Sequence, residues 1–263
     1  MKSSIFGEFS LSEDLDSEMY NLSNEFISTR NQNEMLFGRI DSSRLFYFLE
    51  ESGTFKSLKK RYYFSPLVKF NFSDPLDNKV MIHDEKNRIL INLRFSRKEI
   101  ELTKNVHEIS VLSIDWLMTQ NVKFKNKTKK LYSGQEFPGL NIFNELSRFF
   151  EMIYKESGFL GISNTPEYFH DAFLFKNHFK YIDPIVQGEF LAIFNSFKGL
   201  SLRKISSEIH SNRIIELSKN EIFQWKHSPM LYTNHFHIHN KIFNKDYYDI
   251  VKQFSNKKYS LLH

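Results

Sequence analysis

The chain contains no cysteine, so disulfides, thiolate metal sites and cysteine nucleophiles are excluded. It has no Walker loop, no HExxH and no Gly-x-Ser-x-Gly, which removes the commonest nucleotide-hydrolase, zinc-protease and serine-esterase signatures. No run approaches about 18 consecutive apolar residues, so no membrane span is expected. The first residues lack the apolar run of a signal peptide, and the expected location is the cytoplasm. Charge of one sign is also scarce. The 36 basic and 31 acidic residues leave a formal charge of +5, too near balance to call for a nucleic-acid partner.

What is present is a globular composition. Hydrophobic residues make up 41% of 263, enough to bury a large core. The 28 Phe supply many bulky core positions and carry no functional weight of their own. Residues 1–33 are rich in Ser, Asn, Asp and Glu and read as a flexible N-terminal arm. Met35 to Ile40 reads as a short strand. A helix follows, capped by Asp41 or Ser42, with Leu45, Phe46, Phe48 and Leu49 as its apolar face and Gly53 at its end. A second short helix covers 54–63 and breaks at Ser65-Pro66.

Strands are expected over 79–85 and 88–95, around a turn at 84–87, and over 108–120. The last of these carries apolar residues on both faces and reads as central. After a lysine-rich loop, Ile142, Phe143, Leu146, Phe149, Phe150 and Ile153 predict a helix over 142–157, terminated by Gly158. A strand over 159–163 follows. Thr165-Pro166 opens the next helix, which runs to about Asn177, and 179–182 is a strand. Beyond Pro184, residues 187–198 read as helical, 229–241 as extended, and 246–256 as an amphipathic helix.

Two places in the segment 107–183 carry chemistry. Gln135-Glu136-Phe137-Pro138-Gly139-Leu140-Asn141 is a glycine loop opening a helix, where backbone N–H groups can hold a phosphate. Asn164-Thr165-Pro166 precedes a helix that ends in His178-Phe179. With the order of elements over 35–183, these two places make the chain resemble the GNAT family of acyl-CoA-dependent N-acyltransferases. The resemblance implies an α/β (α+β) fold: a central mixed, mostly antiparallel sheet flanked by helices. The GNAT-like domain would span 34–186, with a C-terminal extension, 187–263, packing on the same core.

The resemblance further implies acetyl-CoA or another acyl-CoA as co-substrate, an amine acceptor and no metal. The cofactor-binding residues would be Met118, Thr119, Gln135, Phe137, Gly139, Leu140, Asn141 and Asn164. The family pattern Arg/Gln-x-x-Gly-x-Gly/Ala is met by Gly139, by Gln135 one place early, and not by Asn141. Glu136 and Pro138 oppose an anion, through charge and through a missing N–H. The family's proton-donating Tyr falls on Leu174 or Phe175, neither of which has a proton to give. Tyr181 and Tyr168 are nearby substitutes, and Asp115 is the carboxylate within the apolar run 109–118 that would serve as base if buried. The alternative is a catalytically inactive scaffold of the same fold that binds a ligand or a protein partner.

Two further features have plainer readings. Lys123, Lys125, Lys127, Lys129 and Lys130 attract phosphates or form a solvated loop. His235, His237 and His239 would share one face of a strand, close enough for two to bind a metal, or are merely exposed.

Overall fold

The structure, a computed structural model, describes residues 35–101, 108–124, 131 and 136–262. The expected N-terminal arm, Gln135 and the lysines at 125, 127, 129 and 130 lie outside the described residues. The chain divides into two compact units, Met1–Arg97 with Ile114–Phe159 and Lys98–Ser113 with Leu160–His263.

In the first unit, α1 (Ser42–Glu51) starts where the Asp41 carboxylate accepts the Arg44 N–H at 2.7 Å. Leu45, Phe48 and Leu49 then fall on one buried face. The short helix α2 (Thr54–Lys59) follows and stops before the expected end at 63. Met35 to Ile40 is not a strand. Phe37 and Gly38 take left-handed backbone, at φ 55° and 68°, and fold the run back so that Leu36 and Ile40 pair with each other. Both side chains are buried, so the apolar run serves the core from a turn.

β1 (Leu67–Asn71) was not expected. It is mostly half-buried and pairs antiparallel with β2 (Asn78–His83). β2 pairs with β3 (Ile89–Ile100) across the expected turn. There the Asp84 carboxylate accepts the N–H groups of Lys86 and Arg88 at 3.0 and 2.9 Å. β4 (Ile109–Thr119) and the helix α3 (Phe143–Ser157) match expectation, and Gly158 ends α3 at φ 75°. Phe95 of β3 meets Phe150 of α3 edge to face at 5.7 Å, both fully or nearly fully buried.

The second unit takes the first half of β4. Leu160 N–H bonds the Ser110 carbonyl, and Leu112 N–H bonds Gly161, so the chain entering β5 (Ile162–Asn164) advances parallel to β4. The expected cap at Thr165-Pro166 is displaced. α4 (Phe169–Phe175) begins at Tyr168, whose backbone N–H is accepted by the Asp171 carboxylate in a capping box. After β6 (Lys180–Tyr181) come α5 (Pro184–Ser196), α6 (Leu202–His210), β7 (Ile214–Glu216), β8 (Glu221–Ile222) and β9 (Met230–Tyr232). The chain ends with α7 (Phe236–Ile242), α8 (Lys245–Ser255) and β10 (Tyr259–Leu261).

The larger sheet has seven strands in the order β1-β2-β3-β4-β5-β9-β6 and is mostly antiparallel. β9 therefore sits between β5 and β6, and the chain beyond 187 completes the sheet rather than only packing on it. The extended reading of 229–241 holds only for β9. From 236 the chain is helical, so His237 and His239 lie on α7 and His235 is its N-cap. Among the described residues no group of three His, Asp or Glu side chains is placed to hold a metal. No helix of the described residues is long and apolar enough to cross a membrane.

Gly188 fixes how α5 meets α8. A methyl group there would lie 2.5 Å from Phe254 Cβ and 2.9 Å from the Val251 carbonyl oxygen. The helix backbones approach this closely only because the side chain is absent. Gly188→Ala is expected to cost about 2–3 kcal/mol in urea unfolding, the scale of an overpacked core. A variant as stable as the parent would contradict the close approach.

Candidate functional site

The glycine loop is held against the end of β4. The Leu140 N–H donates to Thr119 Oγ1 at 3.2 Å, and the Asn121 N–H donates to the Pro138 carbonyl at 2.8 Å. A methyl group on Gly139 would meet Thr119 Oγ1 at 3.4 Å. Thr119 and Gly139, 20 positions apart, are thus brought together. Leu140 points into the core, 1% exposed, while Gly139 and Asn141 are exposed. Asn141 takes left-handed backbone, φ 55°, as the chain turns into α3. Met118 and Phe137 are half-buried.

Ile142, the N-cap of α3, offers no side-chain cap, so the first-turn N–H groups lack the usual internal acceptor. Arg61, which the sequence reading missed, donates to the Asn141 carbonyl at 3.1 Å and to the Ser57 carbonyl at 2.6 Å. Glu145, the carboxylate in the first turn, accepts the Ser57 hydroxyl. The loop, the uncapped helix start and the Arg61 guanidinium together make a local environment suited to an anion. No sequence spacing announces Arg61, because it arrives from the end of α2.

Asp115 lies on the exposed side of β4, and its charge acts on Arg94 of β3. It is exposed, not the buried carboxylate that the role of base called for. Tyr181 is the reverse case. It is 0% exposed, its hydroxyl has no hydrogen-bond partner among the described residues, and burial, with the charge of Asp171, pushes its pKa far above the ordinary value. Its proton is held. Asn164, at the end of β5, is buried, and its Oδ1 also has no partner among the described residues. At the position of the expected tyrosine, Leu174 is exposed and Phe175 packs on Phe179 at 5.1 Å.

A second polar cluster joins α4 to α6. His170 Nδ1 and Ser206 Oγ are 2.9 Å apart, His170 Nε2 lies 3.4 Å from Asp171 Oδ1, and Tyr168 stacks on the imidazole at 5.5 Å. With the proton on Nε2, Nδ1 accepts the Ser206 hydroxyl. Burial pulls the His170 pKa down to about 4. Burial raises that of Asp171 to about 6, opposed by the Tyr168 N–H and assisted by the charge of Glu167. Serine, histidine and carboxylate are linked in sequence, but the last distance is long and the other Asp171 oxygen is committed to capping α4. The arrangement locks two helices together and keeps His170 uncharged, while Asp171 holds its proton only below about pH 6.

Compared with known proteins, the chain matches no family model and no curated protein.

The two shifts act oppositely on stability. A raised Asp171 favours folding as pH falls from about 6 towards its unfolded value, whereas a lowered His170 costs stability as pH falls from its unfolded value to about 4. They nearly cancel between those limits. Replacing one unmasks the other. Relative to the parent, Asp171→Asn should lose stability as pH falls from 6 to 4. His170→Ala should gain it over the same interval. Each trend would be below about 1.4 kcal/mol per pH unit, reduced by the partial exposure of Asp171. Denaturation curves at several pH values read both variants, and parallel curves would contradict the two shifts.

Proposed function

We propose that the protein is an acyl-CoA-dependent N-acyltransferase of GNAT-like fold. It moves an acetyl or longer acyl group from the thioester to an amine. The observation that carries this reading is the glycine loop on Thr119 at the end of the fourth strand, followed by an uncapped helix and flanked by Arg61. That is where the family resemblance expects the CoA pyrophosphate. In support, the sheet keeps an antiparallel β1 to β3, a parallel step into β5, and two short strands beyond it.

In this reading Gly139 keeps the loop surface open beside Thr119, and the first-turn N–H groups of α3 with Arg61 oppose the phosphate charge. The amine nitrogen attacks the thioester carbonyl carbon, the C–S bond breaks, and CoA leaves as a thiolate. Asp115, exposed on β4, accepts the amine proton. Leu174 and Phe175 give no proton to the thiolate and Tyr181 holds its own, so water protonates the leaving group. Slow turnover follows from that lack.

The same lack favours a second reading, a scaffold that binds CoA without turnover. Thermal unfolding with acetyl-CoA at about a hundred times its dissociation constant should show roughly 2.7 kcal/mol of added stability. Thiol release with an amine panel then separates enzyme from scaffold. No stabilisation by any CoA species at millimolar concentration would overturn both. Arg61→Ala should weaken acetyl-CoA binding about tenfold, the scale of one charge-assisted hydrogen bond. Unchanged affinity in a folded Arg61→Ala protein would remove Arg61 from the site.

A further inference from the structure

The first unit carries an exposed aromatic patch set among cations. Tyr62 is 71% exposed, Phe64 58% and Phe124 37%, and the rings of Tyr62 and Phe64 lie 6.4 Å apart. Two chain segments meet there. Lys123 Nζ donates to the Tyr62 carbonyl, and the Lys123 N–H donates to the Tyr63 hydroxyl at 3.0 Å. Tyr62 takes left-handed backbone, φ 65°, which is costly for a bulky residue, yet its ring is left exposed. Large apolar groups gathered at one surface mark a place of interaction.

The charges select the partner. Lys59 and Lys60 lead into Tyr62 through a turn closed by the Tyr62 N–H on the Lys59 carbonyl at 3.0 Å. Both are exposed, as are Lys56 and Lys123, and none of the four forms an ion pair with a described residue. The chain between Glu51 and Asp74 has no acidic residue at all. A segment that covers this surface is therefore acidic and apolar at once.

The N-terminal arm has that composition. Between Lys2 and Arg30 it has no basic residue, while Glu8, Glu13, Asp14, Asp16, Glu18 and Glu25 are acidic. Leu11, Leu15, Met19, Leu22 and Phe26 recur at helical spacing, which would set them in one stripe with Asp14, Glu18 and Glu25 along its edge. Ser10 and Glu13 have the spacing of a capping box that would open such a helix. Reach also fits. Phe37 packs on Phe159 at 4.9 Å, just past the C-terminal end of α3, so the described chain begins near that end. Arg61 bonds the Asn141 carbonyl at the other end, about 22 Å away along a helix of 15 residues. Residues 28–34, extended, cover about 23 Å, which brings the stripe to the patch.

We propose that residues 10–27 dock on the Tyr62, Phe64 and Phe124 surface of their own chain. The apolar stripe meets the aromatic rings, and the carboxylates face Lys59, Lys60 and Lys123. Apolar burial holds the segment and the charges set its orientation. The docking does not depend on the proposed acyl transfer.

The absence of cysteine allows a single label on the full chain. Ser17→Cys carries a nitroxide on the side of the predicted helix away from the stripe, and amide spectra show which residues it approaches. The amides of Tyr62, Phe64, Lys123 and Phe124 should lose intensity, and high salt should restore part of it. Leu15→Asp with Leu22→Asp should abolish the loss. Lys59→Glu with Lys60→Glu, at two exposed positions, should weaken it. Isotope-enriched chains without the nitroxide, mixed with nitroxide-bearing chains without enrichment, should show no loss. Unchanged intensities at the four amides would overturn the proposal, as would a loss that both double variants leave intact. An equal loss in the mixture would assign the surface to a second copy of the chain and overturn it too.

Discussion

Two strands of the larger sheet are too short to stand alone, and the way they are paired governs the C-terminal half of the chain. β5 has three residues, all buried, and β6 two, Lys180 half-buried and Tyr181 buried. An unpaired buried N–H or carbonyl costs about as much as a lost hydrogen bond. β9 removes that cost for both at once by entering between them. Reaching that slot takes the chain through α5, α6 and a small sheet, β10-β7-β8, before it returns. Tyr247 of α8 secures the arrangement by donating its hydroxyl to the Tyr181 carbonyl at 2.6 Å. Lys257 bridges Glu189 and Glu216 at 2.9 Å each. Burial alone would lower its pKa, but the two carboxylates outweigh it and keep the ammonium charged. The last 80 or so residues are therefore structural to the sheet.

What was legible in the sequence followed from strong local signals. The helices at 42–51, 143–157 and 245–255 combine an apolar face with a cap or a terminating glycine, and each formed close to where it was read. The turn at 84–87 was legible because Asp and Asn there satisfy backbone groups or accept left-handed geometry. The misreadings share a cause. Short apolar runs do not distinguish a strand from a turn or a helix. Met35 to Ile40 became a turn at Gly38, and the alternating histidines became part of a seven-residue helix. β1 went unseen because only Val68 of its five residues is buried.

The candidate site was half legible for the same kind of reason. Gly139 and its helix can be read as a unit because they are neighbours in the chain. Arg61 and Thr119 reach them only through folding, His170 and Ser206 meet only when α4 and α6 pack, and Trp225 reaches Phe169 of α4 from beyond β8. The groups expected to move protons are arranged unevenly. Asp115 is exposed, and Tyr181 is fully buried. On the proposed acyltransfer reading, the loop that would hold the acyl carrier is thus better developed than the acid–base pair that would use one.

The account rests on the claim that an acyl-CoA phosphate lies on the loop that starts α3. Amide hydrogen exchange, with and without saturating acetyl-CoA, addresses it residue by residue. The account predicts slowed exchange at Gly139 and at Phe143, Asn144 and Glu145, whose N–H groups have no capping side chain in the free protein. Saturating ligand that leaves those amides unchanged, while protecting another part of the chain, would contradict it.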